Sequence, residues 1–403
     1  MTDPRASGRF HIADEDAIRS GRVTDVYFLR GRDVLRSEGA DAAVVAEVRT
    51  TGFPRGWSWA ILAGLDEAIS LLEGHDVDVE AMPEGSAFLP EEPVLVVSGR
   101  YLAFGILETA LLGFLCQASG VATVAARTKA AAGGKPVFSF GARRMHPAIA
   151  PMIERSAYVG GCDGVAAVAS GEEIGIEPVG TMAHAVILIL GEERAWRAFD
   201  RTMDPAVPRV ALVDTFQDEK FGALSAARTL GDRLAAVRLD TPSSRRGDFA
   251  AIIREVRWEL DRRGHEDVRI FVSGGLDEED VAALRDAADS FGVGTSISNA
   301  PVVDFALDIV EVDGEARSKR GKLSGRKTAW ACPDRHDRGV IPASDPLPAC
   351  PVCGRPGEAL LEPVLRAGRR LHEPETPQTV RARALSQAAT ASDGEGQPVG
   401  GPY

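Results

Sequence analysis

No stretch of this 403-residue chain reaches the roughly 18 uninterrupted apolar residues that a membrane-spanning helix needs. The opening residues, Met1-Thr2-Asp3-Pro4-Arg5, are polar and include an acid, so the apolar core of a secretory signal is missing as well. Cysteine is scarce: there are five, and Cys116 and Cys162 sit in apolar or glycine-rich surroundings far from the other three. An odd, scattered set of this kind argues against a disulfide framework and predicts a reducing, cytoplasmic setting. Positive charge is in deficit too, 46 Lys and Arg against 59 Asp and Glu, for a net charge of −13. A chain this acidic is not drawn as a whole to nucleic acid or to an anionic membrane, so an anionic substrate must meet a locally basic pocket.

What is present is a chain with 44% apolar residues, long enough for two domains or for one barrel with appendages. Residues 1–118 alternate short strand-like runs (44–49, 93–97) with helical ones (56–72, 102–118), predicting an N-terminal α/β domain. The run 102–118 reads as a buried helix whose one acid, Glu108, needs a partner. From 119 to 305 the rhythm becomes βα repeats, with strand-like runs at 136–140, 164–170, 209–213, 234–239 and 268–272. Each ends in polar or glycine residues, which predicts a parallel sheet or β/α barrel with its site after the strands. Residues 306–372 return to short strands and turns, and 373–403, rich in Pro, Gln, Ala, Ser and Gly, read as a disordered tail.

Two glycine turns stand out. Ser273-Gly274-Gly275 follows one strand, and Gly292-Val293-Gly294-Thr295 follows the next helix. Glycine lets backbone N–H groups converge on an anion, and two such turns in consecutive βα units predict a phosphate site.

Five further segments, in chain order, carry a family resemblance. They are Thr24-Asp25-Val26-Tyr27, Phe140-Gly141-Ala142-Arg143-Arg144, Gly160-Gly161-Cys162-Asp163-Gly164, Gly180-Thr181-Met182-Ala183-His184 and Val237-Arg238-Leu239-Asp240. With the glycine turns they resemble the nicotinate and nicotinamide phosphoribosyltransferases over roughly residues 20 to 330. Asp240-Thr241-Pro242-Ser243-Ser244-Arg245-Arg246-Gly247 replaces that family's commoner Asp-Ser-Gly form and looks like its archaeal-type branch. The resemblance implies an irregular β/α barrel of the type II phosphoribosyltransferase kind, beside an α/β N-terminal domain completed by the C-terminal segment. It also implies a homodimer or higher homo-oligomer with the active site at the subunit boundary. The implied reaction joins nicotinate to phosphoribosyl pyrophosphate, releasing nicotinate mononucleotide and pyrophosphate. Mg²⁺ accompanies the phosphates, and ATP hydrolysis is coupled through a phosphohistidine.

That chemistry gives each residue a role. The anomeric carbon becomes cation-like as pyrophosphate leaves, so positioning and charge stabilisation dominate. Ser273, Gly274, Gly275, Gly294 and Thr295 suit the 5′-phosphate, with Thr181 close to the histidine. Asp240 and Asp163 are candidates for ribose hydroxyls or Mg²⁺; taken singly, each reads as a turn acid. Arg143, Arg144 and Arg238 can offer planar forks to a carboxylate or phosphate, and the Arg143-Arg144 pair favours an acid substrate over an amide. Phe140, and Tyr27 from a partner subunit, are placed to sandwich a pyridine ring. His184, which alone reads as structural, becomes the acceptor of a phosphoryl group from ATP. Lys319, Lys322 and Lys327 form a basic stretch that suits ATP or pyrophosphate, or is a solvated turn.

Outside the resemblance, Cys332-x3-His336-x13-Cys350-x2-Cys353 offers four ligands of the types zinc prefers, at about 330–356. A closed set of this kind is structural and orders a coil-rich insertion. Two enzyme alternatives stay open, quinolinate or nicotinamide as the accepted base. A third reading, from a different class, is a non-catalytic, zinc-stabilised nucleotide sensor.

Overall fold

The computed structural model describes residues 10–334 and 337–392. The chain divides into two compact units, one of residues 1–120 with 301–403 and the other of residues 121–300.

The first unit is built on a seven-stranded antiparallel sheet. Its centre comes from the N-terminal strands Ala43–Arg49, Leu95–Arg100 and Val77–Ala81. The returning strand Ala306–Val312 pairs with Ala43–Arg49 on one side, and Glu362–Arg366 pairs with Val77–Ala81 on the other. Val77–Ala81 alternates buried and half-buried residues, so one face turns inward. The helix Leu65–Leu72 buries Leu65, Ala68, Ile69, Leu71 and Leu72 in the same core as Val44, Val79, Leu95 and Val97. Helix was expected from residue 56, but Ala60–Ile61 is a short strand and the helix begins only at Leu65.

Residues 101–131 form helical turns continuing into the long helix Glu108–Ala131, a run long and apolar enough by length and composition to cross a membrane. Leu107, Leu111 and Leu115 belong to the core of the first unit, and Val121, Ala122, Val124 and Ala125 are buried as well, so it reads as a core helix.

The C-terminal end departs from expectation. Residues 373–403 read as disordered, yet Pro377–Ser392 is a helix. Val380, Ala384 and Ala388 are buried on one stripe, and the Gln387 side chain accepts the Ala87 N–H at 2.8 Å. Spacing of four residues is helical, but small alanines give it a weak hydrophobic signature. The rest of that segment lies outside the described residues.

The second unit is an open, curled half-barrel of six parallel strands. In spatial order they are Gly164–Val165, Val137–Ser139, Ser290–Val293, Arg269–Val272, Leu234–Leu239 and Arg209–Leu212. The run 164–170, expected as a full strand, pairs for only two residues before the helix Val168–Ile174 begins. The cause is local: the buried carboxylate of Glu154 accepts the N–H groups of Ala166 and Ala167 at 3.1 and 2.9 Å. Those amides are then unavailable to a ladder.

Candidate active site

Polar residues gather at the carboxyl ends of the parallel strands, where open α/β sheets place ligands. Asp214-Thr215 follows Arg209–Leu212, Asp240-Thr241 follows Leu234–Leu239, and Ser273-Gly274-Gly275 follows Arg269–Val272. Gly294-Thr295 follows Ser290–Val293, and Phe140-Gly141 follows Val137–Ser139.

His184 opens the helix His184–Leu190. Its Nε2 lies 3.2 Å from Asp240 Oδ2 and its Nδ1 3.2 Å from the Thr215 hydroxyl. The ring remains 42% exposed, open to a reagent. Asp240 Oδ1 accepts the Ser273 hydroxyl at 2.6 Å and faces the Arg238 guanidinium at 3.2 Å. Burial pushes the Asp240 carboxyl up, but Arg238, the Ser273 hydroxyl and His184 outweigh it and hold it below the usual carboxylate value.

Arg238 was expected to offer a fork to substrate. Instead its Nε donates to Ser273 at 2.9 Å, one terminal nitrogen to Thr181 at 2.8 Å, and the other pairs with Asp240. Its plane lies 5.2 Å from the Phe140 ring centroid and 5.8 Å from that of Phe271. Arg238 therefore steadies Asp240, and the aromatic rings shield it. Phe140 owes its place to Gly292, where a Cβ would come within 2.6 Å of the ring.

Beneath Asp240 lies Asp214, which the motifs did not single out. It accepts the Asp240 N–H at 2.9 Å, and its other oxygen is buried without a hydrogen-bond partner among the described residues. Burial raises the Asp214 carboxyl, the Asp240 N–H pulls it down, and the Asp240 charge pushes it up again. The Thr241 hydroxyl donates to the buried Glu219 at 2.6 Å. The repeated Asp-Thr ending of two neighbouring strands was the sequence signal for this underlayer.

Arg143 and Arg144 lie in the turn Ala142–Arg144, exposed on the same sheet edge. Among the described residues no carboxylate pairs with either. Asp163 is elsewhere. It precedes its strand, accepts the Val137 N–H at 2.8 Å and pairs with Lys129 at 2.7 Å. That is the amino edge of the parallel sheet, so Asp163 is a structural anchor apart from the His184 network.

In the first unit, Tyr27 is 60% exposed on the helix Val26–Ser37, and Asp25 before it accepts the Thr109 hydroxyl at 3.0 Å. The three lysines expected to meet phosphates have internal partners: Lys319 and Lys322 flank buried Asp308 at 2.8 and 2.9 Å, and Lys327 pairs with buried Glu47 at 3.0 Å. Glu108 has no ion-pair partner among the described residues. Burial, with Lys319 opposing and Asp308 and Asp25 adding, pushes its carboxyl up to about 7.

A second cluster in this unit joins Cys332, Cys350 and Cys353, whose sulfurs all lie within 4.8 Å of one another. Cys332 and Cys353 lie 3.4 Å apart, and none of the three is in a disulfide. The knuckle closes by Gly354 N–H to Cys350 C=O at 2.8 Å, with Gly354 at φ +72°. Sulfurs about 3.8 Å apart is what tetrahedral zinc with bonds of about 2.3 Å requires, so the donor set fits that ion. His336 lies outside the described residues. A cavity of about 440 Å³ beside Cys332, lined by Trp59, Arg338 and Gln387 among others, contains none of the His184 network.

Comparison with known proteins places the chain in a family. Family models described as the N-terminal and C-terminal domains of quinolinate phosphoribosyl transferase match residues 25–119 and 121–308. Nicotinate phosphoribosyltransferase pncB1 of Mycobacterium tuberculosis is 31% identical over 418 residues, covering 92% of this chain and 91% of that protein. Nicotinate phosphoribosyltransferase of Bacillus subtilis is 27% identical, covering 73% of this chain and 67% of its own. A crystal structure described as nicotinate-nucleotide pyrophosphorylase from Pyrococcus furiosus is 53% identical with a TM-score of 0.93, over 96% of this chain and 99% of that one. Human nicotinic acid phosphoribosyltransferase, at 23% identity and a TM-score of 0.71 over 90% of this chain and 93% of its own, shares the fold. On its sequence and on its architecture, the chain belongs to the nicotinate phosphoribosyltransferase family.

Proposed function

We propose that this protein transfers the phosphoribosyl group of phosphoribosyl pyrophosphate to nicotinate, giving nicotinate mononucleotide and pyrophosphate for NAD biosynthesis. The observation that carries the reading is the His184–Asp240–Arg238–Ser273 network at the carboxyl edge of the half-barrel, beside two glycine turns. The pyridine nitrogen attacks the anomeric carbon as its bond to the pyrophosphate oxygen breaks. Arg143 and Arg144, unpaired with any carboxylate among the described residues, attract the nicotinate carboxylate, and Phe140 gives the ring an apolar face. Mg²⁺ would enter with the phosphates and supply charge to neutralise the leaving group, and Asp240 is the carboxylate at this edge that would help hold it.

His184 is read as the acceptor of the ATP γ-phosphoryl group. A ring nitrogen forms the new P–N bond, the bond to ADP breaks, and water later returns the group as phosphate. Asp240 and Thr215, one on each ring nitrogen, hold the imidazole for this. The assembly is read as a homodimer in which Tyr27 of the partner subunit covers the ring. Support comes from the exposure of Tyr27 and of Leu188 and Ile189. The Cys332, Cys350 and Cys353 cluster is read as a structural zinc site.

Quinolinate is the second reading. Two adjacent exposed arginines suit a dicarboxylate, and quinolinate-type family models match both parts of the chain. The test is turnover with nicotinate, nicotinamide and quinolinate side by side, with and without ATP, for the native protein and His184→Ala. The expected result is nicotinate as the preferred base, an ATP-stimulated native rate, and a variant that keeps slow transfer but no ATP response. Quinolinate turnover indifferent to ATP would replace the reading.

A further inference from the structure

We propose that Arg246, in the loop that departs from the family's commoner form, supplies the positive charge of the 5′-phosphate subsite. The inference rests on the phosphoribosyl reading and adds to it a residue to which the motifs assign no role. The chain leaves Asp240 through the short helical turn Ser243–Arg246 and reverses at Gly247, whose φ of +55° suits glycine. Arg245 stays exposed, while Arg246 is drawn in to 8% exposure.

Its surroundings are unusual for a buried cation. The guanidinium lies 5.3 Å from the Phe249 ring centroid, and one terminal nitrogen donates to the Gly274 carbonyl. The Nε is buried and has no hydrogen-bond partner among the described residues. No carboxylate among them lies within ion-pair distance of Arg246. A buried charge without a counter-charge is costly, so such groups are nearly always paired. Arg238, a few residues earlier, shows the ordinary solution, with Asp240 at 3.2 Å. Arg246 lacks the anion that would complete it.

The glycine turn shows where that anion belongs. Gly274 and Gly275 take φ values of +104° and +76°, and their N–H groups have no acceptor among the described residues. A Cβ on Gly275 would lie 3.7 Å from the Arg246 terminal nitrogen, in ordinary contact. Across the Gly274–Gly275 peptide the N–H points away from the carbonyl that Arg246 holds, so the guanidinium backs the turn from the side opposite that amide, and backing charge and open amides together suit a phosphomonoester dianion. The charge sits on the carbonyl side of the turn, where it also fixes the turn's shape.

Two variants separate charge from shape. Arg246→Gln can still donate to the Gly274 carbonyl but carries no charge, whereas Arg246→Lys keeps the charge. Ribose 5-phosphate, inorganic phosphate and ribose are titrated calorimetrically into the full chain. For ribose 5-phosphate and phosphate, Arg246→Gln is expected to bind at least tenfold more weakly, and Arg246→Lys within about threefold of native. Ribose binds none of the three proteins measurably. In turnover, Arg246→Gln raises the KM for phosphoribosyl pyrophosphate while the KM for the pyridine base stays put. Native-like phosphate binding by Arg246→Gln overturns the proposal, as does equal loss in both variants with a lowered melting temperature, which marks a role in shape alone. A native protein that binds ribose 5-phosphate but turns over no pyridine base refutes the proposed reaction and leaves the Arg246 assignment standing.

Discussion

At the scale of single residues, the acid at the end of one strand organises the site. Asp240 touches His184, Arg238 and Ser273 and receives support from Asp214 through its own N–H. Asp240→Asn removes the charge while keeping the shape. Transfer activity should fall by about 100-fold or more, because the histidine loses its anionic partner and Arg238 its counter-charge. Urea melts should show a loss of about 1–3 kcal/mol at neutral pH. The pH dependence has a definite sign. The folded carboxyl titrates below its unfolded value of about 4, so its stabilisation is complete above that value and is lost as pH falls through the lower folded one. The stability gap between native and variant should therefore be flat from about pH 6 to 8 and close below about pH 4. Arg238, Asp240 and Ser273 were legible because each ends or follows a strand, and His184, which opens a helix, because its segment falls in an ordered set of motifs. Arg246 was not, since nothing in a string of letters shows that an arginine is buried and has no carboxylate beside it. Asp163 was misread for the same kind of reason: Gly-x-Asp before a strand and Asp after one differ only in which sheet edge they occupy.

At the scale of elements, the βα rhythm was readable over residues 119–305 because apolar runs alternate with amphipathic ones. The failures came where one side chain overrode the pattern. Glu154 ended a strand by taking its amides, and three small or branched residues four apart, Val380, Ala384 and Ala388, made a helix out of what composition reads as tail. The cysteine knuckle was readable from spacing, and the fold brings Cys332 to it from the end of the strand Lys327–Ala331. If the cluster holds zinc, the native protein carries about one zinc per chain by metal analysis. Cys350→Ser should then carry almost none. Its three-stranded sheet, formed by Arg338–Pro342, Lys327–Ala331 and Glu358–Ala359, should become the first site of proteolytic cutting. A metal-free native protein with an intact sheet would assign the thiols to packing instead.

At the scale of the whole molecule, the first unit is assembled from both ends of the chain and the second from one continuous stretch. The sequence could signal the return of short strands after residue 306, but not the partners they choose. Strand pairing across more than 200 residues is decided by which sheet edge remains open, and that exists only once the fold forms. Ala306–Val312 pairs with Ala43–Arg49, and its Val310, fully buried, falls where the register shifts opposite Val45 and Ala46. Val310→Ala should cost about 2 kcal/mol through lost burial and the space left behind. If the units unfold as separate cooperative bodies, that loss belongs to the first alone. Hydrogen exchange in the full chain should then speed up by about 30-fold in the most protected amides of Ala43–Arg49 and Leu95–Arg100. Those of Leu234–Leu239 and Arg269–Val272, which carry Asp240 and Ser273 at their ends, should keep their native rates. Equal acceleration in all four strands would mean that the discontinuous unit and the half-barrel share one unfolding transition, and that damage to either reaches the candidate active site.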